Sequence, residues 1–171
     1  LTWDDKVLDG VSDPEKPGYD FAGWTFDGGN VLTRTTYANL AADDTVTSIT
    51  LTAQWTLHLY TVTFDPNGGT FDAGGSTVAQ DTMQITYGGN FNQMPIPRYK
   101  GYFFRGWYDE KWGGRQYGDE DGRGTYTYDK TEDCTLYALW EEAPLCTVTF
   151  NPNGGTLTGA ETCQEKQNER I

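Results

Sequence analysis

The sequence predicts a mainly β fold of the α+β kind, built from tandem small modules with little helix. Three observations carry that prediction. Aromatic residues make up 15% of the 171-residue chain, and Tyr, Trp, Phe, Thr and Val suit a pleated, half-buried surface. Short runs alternate apolar and polar side chains with a period of two. Clusters of Gly, Asn and Asp separate the runs, as turn residues do. Helical spacing is suggested only weakly, in the polar tail Glu161–Ile171.

Each element follows from its residues. In Tyr60-Thr61-Val62-Thr63-Phe64, the residues Tyr60, Val62 and Phe64 share one face of a strand. Asp65-Pro66-Asn67-Gly68-Gly69 ends it, because Pro66 fixes φ and the two glycines accept positive φ. A second strand around Met83–Tyr87 stops at Gly88-Gly89. Pro95 and Pro97 hold Gln93–Tyr99 to one helical turn at most. In Gly101–Trp107, strict alternation puts Tyr102 and Phe104 on one face and Phe103, Arg105 and Trp107 on the other. Gly106 there admits a neighbour or marks a bulge. Leu136, Ala138 and Trp140 form one face of Thr135–Trp140. The expected core is therefore Val62, Phe64, Ile85, Tyr102, Phe104, Leu136, Ala138 and Trp140, each large side chain contributing about 1.5–3 kcal/mol on burial.

The chain repeats itself. Cys146-Thr-Val-Thr-Phe-Asn-Pro-Asn-Gly-Gly-Thr156 restates Tyr60-Thr-Val-Thr-Phe-Asp-Pro-Asn-Gly-Gly-Thr70, 86 residues on. Gly101–Trp107 restates Gly18–Trp24 at a separation of 83, and Thr135–Trp140 restates Thr50–Trp55 at 85. Three landmarks in one order at nearly one spacing define a unit of about 80 residues, the sequence mark of a modular array. Residues 1–56 read as a partial repeat without its first strand, and 57–142 as a complete repeat. Residues 143–171 read as the start of a third repeat plus a non-repeat tail. Thr56–Leu59 and Glu141–Leu145 are the expected linkers, short and fairly stiff.

Those three motifs together resemble the Listeria–Bacteroides repeat, also called the internalin B B-repeat. The resemblance implies tandem β-grasp (ubiquitin-like) modules of an extracellular bacterial protein, secreted or attached to the cell wall. It implies a non-catalytic spacer or stalk, with adhesion as a further internalin-like role and an unidentified protein or glycan as ligand. The extended Thr70–Gln80 segment, the Gly/Asp-rich Asp109–Thr131 stretch and the tail after Gly159 depart from the family pattern.

The remaining chemistry narrows the field. With 12 Lys+Arg against 25 Asp+Glu the net charge is −13, which opposes contact with nucleic acid or an anionic membrane surface. A mean hydropathy of −0.65 gives no expectation of membrane insertion. His58 is the single histidine, so no His dyad or triad can form, and no Gly-x-Ser-x-Gly elbow is present. No enzyme activity and no cofactor are expected. Asp119 and Asp121, in a Gly-rich loop, are the calcium candidates, although the spacing of a full EF loop is missing.

The competing function is an accessory carbohydrate-binding module of a secreted polysaccharide-degrading enzyme. Trp112, Tyr108 and Tyr117 would be its sugar contacts, with Trp3, Tyr126 and Tyr128 as further rings outside the recurring motifs. The same rings also serve as cross-strand pairs in a small sheet. Cys134, Cys146 and Cys163 show no Cys-x-x-Cys spacing. A tight turn at Gly154-Gly155 would bring Cys146 opposite Cys163 as a disulfide. An opening strand absent from the first copy leaves a template for strand addition, filled either by the rest of a longer protein, of which this chain is an excerpt, or by head-to-tail self-association.

Overall fold

The computed structural model describes residues 8–26, 28–32, 40, 45–73, 76–78 and 81–166. The chain divides into two compact units, Leu1–Leu59 and Tyr60–Ile171. The elements are β1 (Tyr19–Phe26), β2 (Val31–Leu32), β3 (Leu51–Leu57), β4 (Leu59–Asp65), β5 (Phe71–Ala73), β6 (Ser76–Val78), β7 (Asp81–Thr86), β8 (Tyr102–Glu110), β9 (Gly113–Gly118), β10 (Cys134–Glu142), β11 (Leu145–Thr149) and β12 (Thr162–Lys166). The expected linkers are mostly strand. Only His58 separates β3 from β4, and only Ala143-Pro144 separates β10 from β11.

The first unit is an antiparallel sheet in the order β2-β1-β3. Its β1–β3 register slips between Phe21 and Gly23, which brings Phe21 and Trp24 edge to face at 5.5 Å. Thr25, buried on β1, donates its hydroxyl to the Thr52 carbonyl at 3.3 Å and accepts from Gln54 Nε2 at 3.1 Å.

The second unit carries a five-stranded sheet in the order β7-β4-β10-β8-β9. The opening strand β4 lies inside the sheet, parallel to β10 with Val62 beside Cys134 and Phe64 beside Leu136. Along β4 burial alternates as the residues dictate, with Tyr60, Val62 and Phe64 inward. The turn that follows is closed by its own side chains. Asp65 Oδ1 accepts the Asn67 N–H at 2.8 Å, Asn67 takes a positive φ of 47°, and Gly68 follows at 98°.

This turn is also fastened to β10. Asn67 Nδ2 donates to the Ala138 carbonyl at 3.1 Å, and Trp140 Nε1 donates to the Pro66 carbonyl at 2.9 Å. A Cβ at position 69 would sit 2.6 Å from the Trp140 ring, so Gly69 leaves room for the indole. Two motifs that recur far apart in the sequence thus recur because they bind each other.

Between β7 and β8 the chain runs without helix, as Pro95 and Pro97 require. Residues 88–94 lie against the 122–128 stretch instead. Gly88 N–H donates to the Tyr128 carbonyl (2.7 Å), Tyr128 N–H to the Gly89 carbonyl (2.9 Å) and Met94 N–H to the Gly122 carbonyl (2.7 Å). The Gly/Asp-rich stretch is therefore an ordered flap that closes one side of the core.

That core holds Tyr60, Val62, Phe64, Phe71, Ile85, Phe91, Met94, Trp107, Tyr117, Tyr128, Leu136 and Ala138. Val62, Phe64, Ile85, Leu136 and Ala138 are buried where the alternation put them. Phe104 and Trp140 are half-buried and pack against the cluster. Tyr102 lies outside it and stacks on Tyr99 at 4.4 Å.

Trp107, assigned by strict alternation to the face opposite Phe104, is instead at the centre of the core beside Phe104, 5.4 Å between rings. The cause is a bulge: Leu139 pairs with Gly106 but Trp140 pairs with Phe104, so one residue of β8 is skipped and the alternation reverses. Gly106, at φ 122°, sits at that bulge.

Of the tail after Glu161, the described residues Thr162–Lys166 form β12 and not a helix. Thr162–Lys166 pairs antiparallel with Leu145–Thr149. In this hairpin Cys146 lies opposite Glu165, and Cys163 opposite Val148. The connection is two residues longer in register than a turn centred on Gly154-Gly155 requires, so Cys146 does not face Cys163 as expected. All three cysteines are free thiols.

Candidate functional site

Trp112 occupies the turn between β8 and β9 and is 83% exposed, with Lys111 Nζ 5.8 Å from its ring. Tyr108 is half-buried on β8, paired with Tyr137 on β10 and Gln116 on β9. Among the described residues no ring contact joins Trp112 to Tyr108. Tyr117 cannot stack on a sugar, because it is 1% exposed in the core against Phe91. Tyr128 is equally buried, and its hydroxyl donates to the Glu132 carbonyl. Trp3 lies outside the described residues. The rings proposed as a sugar platform are therefore dispersed, and two of them hold the fold together.

Neither buried tyrosine belongs to the recurring motifs, and alternation could not have found them. Tyr126 and Tyr128 share a parity, yet Tyr126 is exposed. What signals their role is the polar partner each hydroxyl reaches. Tyr117 donates to Asp129 Oδ1 at 2.6 Å, Asp129 pairs with Arg115, and the Arg115 guanidinium lies 4.6 Å over the Tyr126 ring. The Tyr117 hydrogen bond, with Arg115 close by, holds the Asp129 carboxyl below its usual range. This chain of contacts ties β9 to the flap.

Burial pushes the hydroxyl pKa of both Tyr117 and Tyr128 well above the usual value. A raised folded-state pKa contributes stability below the unfolded value of about 10 and loses it as pH rises further. In an alkaline titration we expect these two of the eleven tyrosines to ionise only as the second unit unfolds. Tyrosinate absorbance followed alongside circular dichroism checks this. A single reversible class of eleven, with native dichroism, would contradict the assignment.

The acidic loop is committed elsewhere than to calcium. Asp119 Oδ1 accepts the N–H groups of Asp121 (3.0 Å) and Arg123 (2.8 Å), which closes the turn. Asp121 pairs with Arg123 at 2.8 Å, and Glu120 shares Arg105 with Glu141 at 2.7 and 2.6 Å. Among the described residues no group of three or more His, Cys, Asp or Glu is placed to hold a metal. The calcium reading of Asp119 and Asp121 gives way to a turn-closing one.

His58 Nδ1 is 2.9 Å from both carboxylate oxygens of Asp20, at the exposed end of β1. Cys134 is half-buried, and that burial pushes its thiol pKa up, away from the thiolate a nucleophile needs.

What recurs in this chain is thus architectural: the opening strand, the turn behind it and the tryptophan that clasps the turn. The family model for the Listeria–Bacteroides repeat domain matches residues 4–54 and again 60–139. The chain belongs to the Listeria–Bacteroides repeat family. The two matches fall within the two units.

Three relatives contain the same kind of sequence. Internalin H of Listeria monocytogenes is 35% identical over 142 residues, 82% of this chain and 21% of that protein. A protein of Evansella cellulosilytica whose name describes a membrane protein is 31% identical over 150 residues, 88% of this chain and 20% of its own length. A second from that organism, with a Gly-rich membrane-protein name, is 32% identical over 148 residues, 84% of this chain and 14% of its own. The chain therefore spans about a fifth or less of each of these relatives. Among the described residues no helix is long and apolar enough to cross a membrane. The Listeria–Bacteroides repeat assignment makes this chain part of a repeat protein.

Proposed function

We propose that this chain is a non-catalytic run of β-grasp repeats in an extracellular bacterial protein, and that it acts as a spacer. The observation that carries the reading is where the recurring residues go. Asp65–Gly69 and Trp140 bind each other, while Val62, Phe64, Leu136 and Ala138 fill the core. The repeated positions of the second unit maintain a module. The names of the relatives, a membrane protein and an internalin, support the location, and a charge of −13 favours a solvated, self-repelling surface. Such a segment would hold a neighbouring domain away from the cell.

Small-angle scattering of the chain at low concentration tests the spacer role. A compact globule of this length has a radius of gyration of about 16 Å. We expect a clearly larger value and an extended distance distribution. A radius near that of the globule would overturn the reading.

A further inference from the structure

We infer that the second unit bears tension along the chain, through a shear clamp made by β4 and β10. The role rests on the spacer reading, since a stalk transmits whatever load its ends carry. β3 runs into β4 through His58 alone, and β10 runs on into β11 through Ala143-Pro144. Backbone tension therefore enters this unit at Leu59 and leaves it at Glu142. β4 and β10 are neighbours in the sheet and run parallel, with Val62 beside Cys134 and Asp65 beside Tyr137. Leu59 lies before the first of these pairs and Glu142 beyond the last. The two points of load are thus at opposite ends of the strand pair, and pulling them apart slides one strand along the other. The evenly spaced hydrogen bonds of a parallel pair link strand to strand, so under sliding they carry the load together.

Side chains lengthen the clamp at both ends. Ahead of the ladder, Asp133 Oδ1 accepts the Thr61 N–H at 2.8 Å. Behind it, the turn after β4 is bonded to the far half of β10. Asn67 Nδ2 donates to the Ala138 carbonyl at 3.1 Å, and Trp140 Nε1 to the Pro66 carbonyl at 2.9 Å. Drawing β4 back toward Leu59 pulls both contacts apart, so they resist the same displacement. Opening strand, turn and tryptophan, which recur in the sequence, are the parts of this clamp.

The surroundings keep water, which must replace each bond as it breaks, away from the clamp. In the order β7-β4-β10-β8-β9 both of its strands are interior. Val62, Phe64, Leu136 and Ala138 on its inner face are 0% exposed. β8 backs β10 from Tyr137 to Glu142, and the Ala143 N–H donates to the Gly101 carbonyl at 3.0 Å. The exit strand is therefore anchored on its other side up to the point where the load leaves.

Optical tweezers test the clamp by pulling the full chain in two directions. Azide-bearing residues at the exposed positions Leu59 and Glu142 take the handles for shear. Handles at Leu59 and Glu132, also exposed, load both strands at the same end and peel them apart. The fold is the same in both cases, and the direction of load differs. We expect shear to need about twice the peeling force or more, because ladder bonds share the load in one case and break in turn in the other. Trp140→Phe removes the Nε1–H at the far end of the clamp and should lower this ratio. Tyr117→Phe, which loosens the flap, should lower stability in urea and leave the ratio intact, because forced unfolding follows the barrier and not the equilibrium. Equal forces in the two directions would overturn the clamp. So would a ratio that Trp140→Phe leaves unchanged, or one that Tyr117→Phe lowers as much. Scattering tests the spacer reading separately. A compact radius with a high shear force removes the stalk alone, and an extended radius with equal forces removes the clamp alone.

Discussion

Trp107→Ala should cost the second unit roughly 4–5 kcal/mol, the largest loss expected from any side-chain truncation in this chain. The indole has no exposed surface and lies 4.9 Å from the Phe64 ring, 6.0 Å from Phe71 and 5.4 Å from Phe104. Removing it opens a cavity among four elements that cannot all collapse inward. It also strips the Pro95 carbonyl of the Nε1–H that reaches it at 2.9 Å. That carbonyl belongs to the segment running without helix between β7 and β8, between the backbone bonds of Met94 to Gly122 and of Arg98 to Thr70.

Trp107→Phe separates the two effects. It keeps most of the ring contacts and should cost about 1–3 kcal/mol, the penalty of an unpaired buried acceptor plus a smaller void. Trp112→Ala supplies the control, because a ring 83% exposed at a turn should change stability by no more than about 0.5 kcal/mol. Urea denaturation of the three variants measures the order. If Trp107→Ala fell within 1 kcal/mol of the parent, the packing around the indole would be refuted.

The same residue shows what could be read from the sequence and what could not. Tyr60–Phe64 and Leu136–Trp140 were legible because alternation is local and both strands obey it along their length. The Asp65–Gly69 turn was legible because its residue types have few other uses. Trp107 was assigned to the wrong face because alternation assumes an unbroken pleat, and the bulge beside Gly106 depends on how β8 pairs with β10. For Tyr117 and Tyr128 the sequence leaves sugar contact and cross-strand pairing both open, for a related reason. Their burial is produced by a flap whose backbone bonds reach back to residues 88–94, a long-range pairing with no periodic signature. The Cys146–Cys163 expectation failed over the length of one turn. Strand register converts a two-residue error there into a different cross-strand partner.

Gly106→Ala carries the second large effect, and it tests that bulge directly. At φ 122° the backbone is in a region that residues with a Cβ rarely occupy, a strain of about 1–3 kcal/mol. The new methyl group would also overlap the Gly118 carbonyl oxygen on β9 and come within 2.7 Å of Gln116 Nε2. Gln116 Nε2 is the bridge here, donating to the Arg105 carbonyl at 3.2 Å and to the Gly118 carbonyl at 3.1 Å. Relief therefore requires β9 to move away from β8, and β9 carries Tyr117 into the core. Strain and displacement together should cost roughly 3–5 kcal/mol and expose part of the flap. Gly68→Ala provides the comparison, since φ is also positive there, at 98°, but a Cβ would meet only the Tyr99 ring at an ordinary 3.5 Å. It should lose only the backbone share, about 1–2 kcal/mol. Denaturant midpoints of the two variants give the difference, and hydrogen exchange should show β9 amides deprotected in Gly106→Ala alone. Equal losses in both would mean that β8 and β9 do not approach at Gly106, and that another feature turns Trp107 inward.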